Sequence, residues 1–250
     1  MEVKILGISS SPRSGNTLIM VHEALKAAEE IGQVTTELYS FIGKKISPCI
    51  DCDRCPVSDQ QLCAIQDSMD EIYPKLFEAD GIILGSPVYC GTMNAQMKCM
   101  MDRCRPLGRA GKTLQHKVGG GISVGACRSG GQDNTIQDIV YFFMLKGIYP
   151  VGLMKQLQIG AMGLGWRPGA VLDDKWDCKH LGRDVTGLEE ARDLGRRVAI
   201  CSKIVKTGLQ SFDPSQYKES WGFNREKIPD LKEARKRMKQ IEQDLGIKYR

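Results

Sequence analysis

The chain has 250 residues, 42% hydrophobic and 26% charged, with a formal charge of +5 and ten cysteines. That is enough for one large α/β domain or a domain with an appendage. It is too weakly basic to imply nucleic acid, and it has no apolar run of transmembrane length. The start, Met1 to Leu6, lacks the basic region and long apolar core of a signal peptide, so the cysteines point to a reducing cytosol, a cytoplasmic protein and thiols committed to a cofactor.

Val3 to Ser9 is short and apolar and predicts a buried strand. Residues 9–17 form a turn, after which Leu18, Val21, Leu25, Ala28 and Ile31 recur at helical spacing. Val34 to Phe41 predicts a second strand. A cysteine-rich segment, about 43–66, interrupts the pattern before a helix over Asp67 to Glu78. Residues 81–85 predict a third strand, Asn94 to Arg105 a helix, Val118 to Gly125 a fourth strand and Gln132 to Lys146 a helix. A fifth strand is expected within about 148–159, and Leu188 to Val205 marks a closing helix. Alternating strands and helices give a doubly wound parallel sheet covered on both faces. Residues 1–208 are read as that domain. Residues 209–250 are read as an extension, with one amphipathic helix marked by Leu231, Ala234, Met238, Ile241 and Leu245.

Cys49, Cys52, Cys55 and Cys63 follow the spacing C-x2-C-x2-C-x7-C. Three thiolates two residues apart converge only around a tight turn, which suits a compact iron–sulfur cubane. The C-x2-C-x2-C core also opens bacterial cluster motifs, so a 4Fe–4S cluster is expected here. Zinc is the rival, but structural zinc sites usually separate two ligand pairs by a dozen or more residues.

In open α/β sheets, ligands bind outside the carboxyl ends of the strands. Three loops fall there. The first runs into a helix N-terminus, which favours an anion, and carries Ser9, Ser11, Arg13, Ser14, Asn16 and Thr17. It lacks the Gly-Lys-Ser/Thr ending of a Walker loop and is not G-x-G-x-x-G. Its hydroxyls suit a terminal monophosphate; a helix cap with spare serines is the plainer alternative. The second loop holds Pro87, Val88, Tyr89, Cys90 and Gly91, with the tyrosine offering a flat face to a ring. The third holds Arg128, Gly130, Gly131 and Gln132, with little bulk and one cation. Either could be a plain connection; together with the first they make FMN the natural ligand. One phosphate site with no second site for an adenylate argues against FAD.

These motifs resemble the flavodoxin-like NAD(P)H-dependent FMN reductase superfamily. More closely, over residues 1 to about 205, they resemble the iron–sulfur flavoproteins of anaerobic archaea and bacteria. Residues 10–17 resemble that family's phosphate loop. Residues 86–89, with Met101-Asp102-Arg103, resemble its second flavin loop and helix, and residues 128–132 its third loop. The resemblance implies a flavodoxin-like fold, a five-stranded sheet in order 2-1-3-4-5, with the cluster loop inserted after strand 2. It also implies electron flow from a one-electron donor such as ferredoxin through the cluster to FMN, then to dioxygen, hydrogen peroxide or a quinone. The first alternative is an NAD(P)H-dependent flavin or quinone reductase with an auxiliary cluster. The second is a non-catalytic flavin-binding sensor holding structural zinc. A homodimer or homotetramer is expected. Arg235, Lys236, Arg237 and Lys239 form a basic patch open to an acidic carrier, with Lys44, Lys45 and Arg54 as the alternative docking place. Cys90, Cys99, Cys104, Cys127 and Cys201 read as small apolar residues, although Cys90 and Cys127 lie in flavin loops.

Overall fold

Strand β1 (Val3–Ser9) alternates between two cores. Val3 and Ile5 pack into one apolar cluster; Leu6 and Ile8 pack into the other. That period of two is what a strand buried on both faces requires. The computed structural model describes residues 1–55, 62–109, 114–127, 129–153, 158–165 and 184–212, together with 236, 240, 243 and 244.

Helix α1 (Asn16–Glu29) follows β1 and leads to β2 (Val34–Ser40). Then come α2 (Met69–Glu78), β3 (Gly81–Tyr89), the short β4 (Thr92–Met93), α3 (Ala95–Asp102) and α4 (Arg105–Arg109). The chain continues through β5 (Val118–Gly125), α5 (Gln132–Leu145), β6 (Tyr149–Pro150) and β7 (Ala161–Leu164) to the long α6 (Val185–Ser211). The sheet runs β2-β1-β3-β5-β6, with β7 also paired to β5 and β4 to β3. All pairs are parallel except β3 with β4.

α1 and α6 cover one face, burying Val21, Leu25, Leu188, Leu194 and Val198 with Ile83 and Ile122. α2, α3 and α5 cover the other, burying Ile72, Leu76, Met97, Met100 and Phe143 with Leu6 and Leu84. α1 lies close to the sheet because Gly85 leaves room for it. A Cβ there would sit 2.4 Å from the Val21 side chain. This seats the start of α1 directly over the ends of β1 and β3.

The order matches the expectation for strands 2-1-3-4. The fifth strand differs, because it is split. β6 pairs with the start of β5, and β7, just past the expected window, pairs with its end. Pro150 has no N–H to continue the ladder, and the chain leaves the sheet through a bridge in which the Leu153 N–H donates to the Gln158 carbonyl at 2.7 Å.

The chain divides into two compact units, Met1–Ser211 and Phe212–Arg250. The first ends three residues beyond the boundary expected at 208, because α6 runs through Gly208. Most of the second unit, including Leu231, Ala234, Met238, Ile241 and Leu245 of the expected helix and Arg235, Arg237 and Lys239 of the basic patch, lies outside the described residues. Among the described residues no helix is long and apolar enough to cross a membrane.

Candidate flavin and iron–sulfur site

Because the strands are parallel, the loops after β1, β2, β3 and β5 all leave the same edge of the sheet. The first two are tied to neighbouring strands there. The Ser10 N–H donates to the Gly85 carbonyl at 2.9 Å, and the Phe41 N–H to the Ser9 carbonyl at 3.0 Å.

The loop after β1 is built as an anion cradle. Ser11 closes a local turn, its hydroxyl donating to the Arg13 carbonyl at 2.9 Å. α1 then starts from Gly15, whose backbone is extended. No side chain caps the helix, and its first turn carries no acidic residue. The first backbone N–H groups of a helix have no intrahelical partner, and they favour a phosphate. Ser9 is buried with its hydroxyl unpartnered, Asn16 and Thr17 are buried, and Arg13 and Ser14 are exposed at the rim. These residues fit a phosphate monoester.

The loop after β3 is a hairpin, a feature the sequence pattern misses because β4 has only two residues. Val88 pairs with Met93 and Tyr89 with Thr92. Cys90 and Gly91 form the turn, with φ of 50° and 89°. Two left-handed residues in succession are what a tight hairpin of this kind needs. Tyr89 is 43% exposed, so its ring is available as a flat face, and Pro87 and Val88 are half-buried beside it. Asn94 welds this hairpin to the phosphate loop. Its Nδ2 donates to the Ser10 carbonyl at 2.7 Å, and its Oδ1 accepts from the Ser10 hydroxyl at 2.7 Å and the Ser86 hydroxyl at 3.1 Å. The same oxygen caps α3 through the Met97 N–H. Asn94 was not among the expected site residues; its position just before an apolar helical run was the available signal.

The loop after β5 packs against that hairpin. Gly131 has φ of 115°, and a Cβ there would fall 2.2 Å from the Gly91 carbonyl, so glycine is required. Gln132 is buried and its amide is spent on the loop itself. Nε2 donates to the Cys127 carbonyl at 2.8 Å, and Oε1 accepts the Gly130 N–H at 2.9 Å. Gln132 therefore shapes the loop from behind, and Gly130 stands exposed at its front. Arg128 lies outside the described residues. Cys90 and Cys127 are exposed, contrary to an apolar packing role, whereas Cys104 is fully buried and burial pushes its thiol up to about 12.

The cysteine segment rises from the end of β2 on a closed stem. Lys45 and Ser68 exchange backbone hydrogen bonding and a hydroxyl contact, and the Ser47 N–H donates to Asp67 at 2.8 Å. Arg103, at the end of α3, locks this stem. Its Nη1 lies 2.6 Å from both Asp67 carboxylate oxygens, and its Nη2 donates to the Ile65 carbonyl at 2.7 Å. The side chains of Arg103 and Asp67 are 0% and 4% exposed. Burial alone would raise the Asp67 carboxyl, but bonds from Arg103, Ser47 and Met69 outweigh it and hold the group below the usual carboxylate range. The Tyr73 hydroxyl donates to the Arg103 carbonyl at 2.8 Å, and burial raises that phenol far above its ordinary value. Arg103 thus belongs to the cysteine loop, although the family pattern groups it with the flavin helix.

Beyond the stem, Cys49 and Cys52 are exposed, Cys55 is half-buried and Cys63 is buried. Asp51 and Asp53, interleaved with the first three cysteines, both have left-handed backbone, with φ of 48° and 53°. Left-handed residues alternating along a chain turn N–H groups into a concavity of the kind many iron–sulfur sites use. The Asp51 N–H already points to the Cys49 sulfur at 3.5 Å. Arg105 pairs with both Asp51 and Asp53 and holds this turn from outside. Among the described residues no three His, Cys, Asp or Glu side chains are gathered closely enough to hold a metal ion. The fit to a cluster therefore rests on the donor set, four thiols on one stapled loop with the Asp51 N–H beside the Cys49 sulfur.

A doubly wound sheet whose carboxyl edge gathers an anion-suited loop, a hairpin with an exposed tyrosine and a glycine loop has the architecture of a flavodoxin-like flavin-dependent oxidoreductase. Residues 3–154 match the family described as NADPH-dependent FMN reductase. An iron–sulfur flavoprotein of Methanocaldococcus jannaschii is 47% identical over 206 residues, 82% of this chain and 100% of that one. An iron–sulfur flavoprotein of Methanosarcina thermophila is 41% identical over 167 residues, 66% of this chain and 84% of that one. The crystal structure of a flavodoxin, WrbA-like protein from Agrobacterium tumefaciens superposes with a TM-score of 0.54 at 23% identity, covering 81% of this chain and 99% of that one, and shares the fold. The chain belongs to the iron–sulfur flavoprotein family.

Proposed function

We propose that this oxidoreductase takes single electrons from a one-electron carrier, ferredoxin or a similar acidic protein, and delivers pairs of electrons to a small acceptor: dioxygen, hydrogen peroxide or a quinone. When bound, a 4Fe–4S cluster supplies one-electron chemistry, and FMN supplies the change from one-electron to two-electron chemistry. Cys49, Cys52, Cys55 and Cys63 would hold the cluster. Ser9, Ser11, Ser14, Asn16, Thr17 and the start of α1 would hold the FMN phosphate, with Arg13 adding positive charge at the rim. Tyr89 and the Pro87–Gly91 hairpin would face the flavin ring, and Gly130 and Gly131 would let backbone approach it closely. No acid–base residue is invoked.

The observation that carries this reading is the placement of the cysteine segment. It leaves the carboxyl edge of the sheet from β2, the strand next to β1 and its phosphate loop, and it is fastened there by a buried ion pair. A plain flavin reductase has no need of four thiols on such a stem. The competing reading, NAD(P)H as donor with the cluster auxiliary, is favoured by the description of the matched family. Stopped-flow reduction separates the two. Under anaerobic conditions reduced ferredoxin should bleach the flavin absorbance faster than NADPH. Fast reduction by NADPH with none by ferredoxin would favour the second reading.

A further inference from the structure

The guanidinium that locks the cysteine stem has one hydrogen bond too few. Arg103 is buried, and Nη1 and Nη2 are spent on Asp67, Ile65 and, at 3.5 Å, the Ser47 carbonyl. Its Nε–H is buried without a partner. Leaving a buried donor unmade costs about 1–3 kcal/mol, and more for a charged group, so this position calls for an acceptor. Cys63, 7% exposed, lies two residues before the Ile65 carbonyl that Nη2 holds, and its sulfur interacts with the Arg103 guanidinium. A neutral thiol is a weak acceptor, whereas a thiolate bound to iron carries the negative charge that a guanidinium N–H seeks.

We propose that Arg103 donates its Nε–H to the sulfur at the Cys63 corner of the bound iron–sulfur group, and that this fixed cation, oriented by Asp67, raises the group's reduction potential. The inference rests on the iron–sulfur reading of the four cysteines. Reduction adds one negative charge to the group, and hydrogen bonds to its sulfurs and nearby positive charge favour that state. Asp67 compensates part of the charge but leaves the Nε edge free to act. The choice of arginine follows from its planar fork, whose separate edges can face Asp67, the carbonyl two residues after Cys63 and a sulfur at once, whereas the donors of a lysine radiate from one nitrogen.

The test compares the unaltered protein with Arg103→Lys and with the double variant Arg103→Gln/Asp67→Asn, which removes both charges and strands neither. Iron, acid-labile sulfide and FMN are measured first. Each protein is then titrated anaerobically with dithionite, which supplies one electron to the group with no bond made or broken, and the reduced signal is followed by electron paramagnetic resonance. The equilibrium constant for reduction should fall about tenfold in the double variant, equivalent to about 59 mV for one electron. It should fall by less in the lysine variant. An unaltered protein without iron would sink the iron–sulfur reading itself. Iron present with an unchanged potential in the variants would overturn this inference alone. Loss of iron from both variants with FMN retained would also overturn it, since Arg103 would then only hold the loop. If the double variant alone loses iron, the lysine variant decides: a lowered potential supports the inference and an unchanged one overturns it.

Discussion

At the scale of single residues, the Arg103–Asp67 pair decides how the cysteine loop is held. Both side chains are buried, so removing one partner strands a charge. Arg103→Ala or Asp67→Ala should each lower unfolding stability by about 3–5 kcal/mol, whereas replacing both by methionine should be close to neutral. Urea unfolding of the three variants checks this, and a double-variant loss equal to the sum of the two single losses would show that the pair is not coupled. The pair also gives a pH signature. The native carboxyl of Asp67 is held below its unfolded value of about 3.9. Its contribution is therefore present in full above that value and is lost as pH falls through the lower, native value. The urea midpoint should drop steeply below about pH 4, and the drop should be shallower in Arg103→Gln/Asp67→Asn. An identical profile in that double variant would assign the acid sensitivity to other carboxylates.

At the scale of elements, the loops at the carboxyl edge act as a joined platform, and Asn94 is the joint. Asn94→Ala removes the cap of α3 and leaves the Ser10 and Ser86 groups unmatched. A cost of about 1–3 kcal/mol is expected, with weaker FMN binding in a fluorescence titration. Unchanged FMN affinity would mean the platform does not depend on this weld. The cysteine loop should be separable from that platform, because it is fastened to α2 and α3 by its own stem. Cys52→Ser should lose or convert the cluster while keeping much of the FMN, and Cys201→Ser, on α6, should keep its iron. Full iron in a Cys49→Ser/Cys55→Ser protein would contradict the ligand assignment.

The sheet was legible in the sequence because its strands are short apolar runs separated by helical periodicity, a pattern set by burial on both faces. The phosphate loop and the four cysteines were legible because their residue types are unusual at those spacings. What escaped was written in tertiary contacts. A two-residue strand such as β4 leaves no periodic trace. The break between β6 and β7 depends on one proline and a local bridge. Arg103 follows a methionine-rich helix and gives no local sign that it turns back 36 residues to Asp67 and 56 to Ser47. Gln132 looked like a ligand contact from its place in the third loop, but its amide serves that loop.

At the scale of the whole molecule, the exposed face around Cys49 and Cys52 is the proposed alternative to the C-terminal basic patch as the docking place of an electron carrier. Lys45 and Arg54 are exposed there, and Lys44 is paired with Glu71 at 2.7 Å. Reversing Lys45 and Arg54 to glutamate should slow reduction by ferredoxin in low salt, with the difference shrinking toward ~0.15 M, where the Debye length is about 8 Å. If the rate is unchanged, while reversal of Arg235, Lys236, Arg237 and Lys239 slows it, docking belongs to the C-terminal unit. A homodimer or homotetramer is proposed from the family resemblance, and sedimentation at micromolar concentration tests it. The central claim is that one chain carries FMN and an iron–sulfur group on the cysteine loop. Iron, acid-labile sulfide and flavin analysis of anaerobically purified protein tests it most directly. About four iron and four sulfide per FMN are expected, with a broad visible shoulder beneath the flavin bands; zinc in place of iron, or FMN with neither metal nor sulfide, would contradict it.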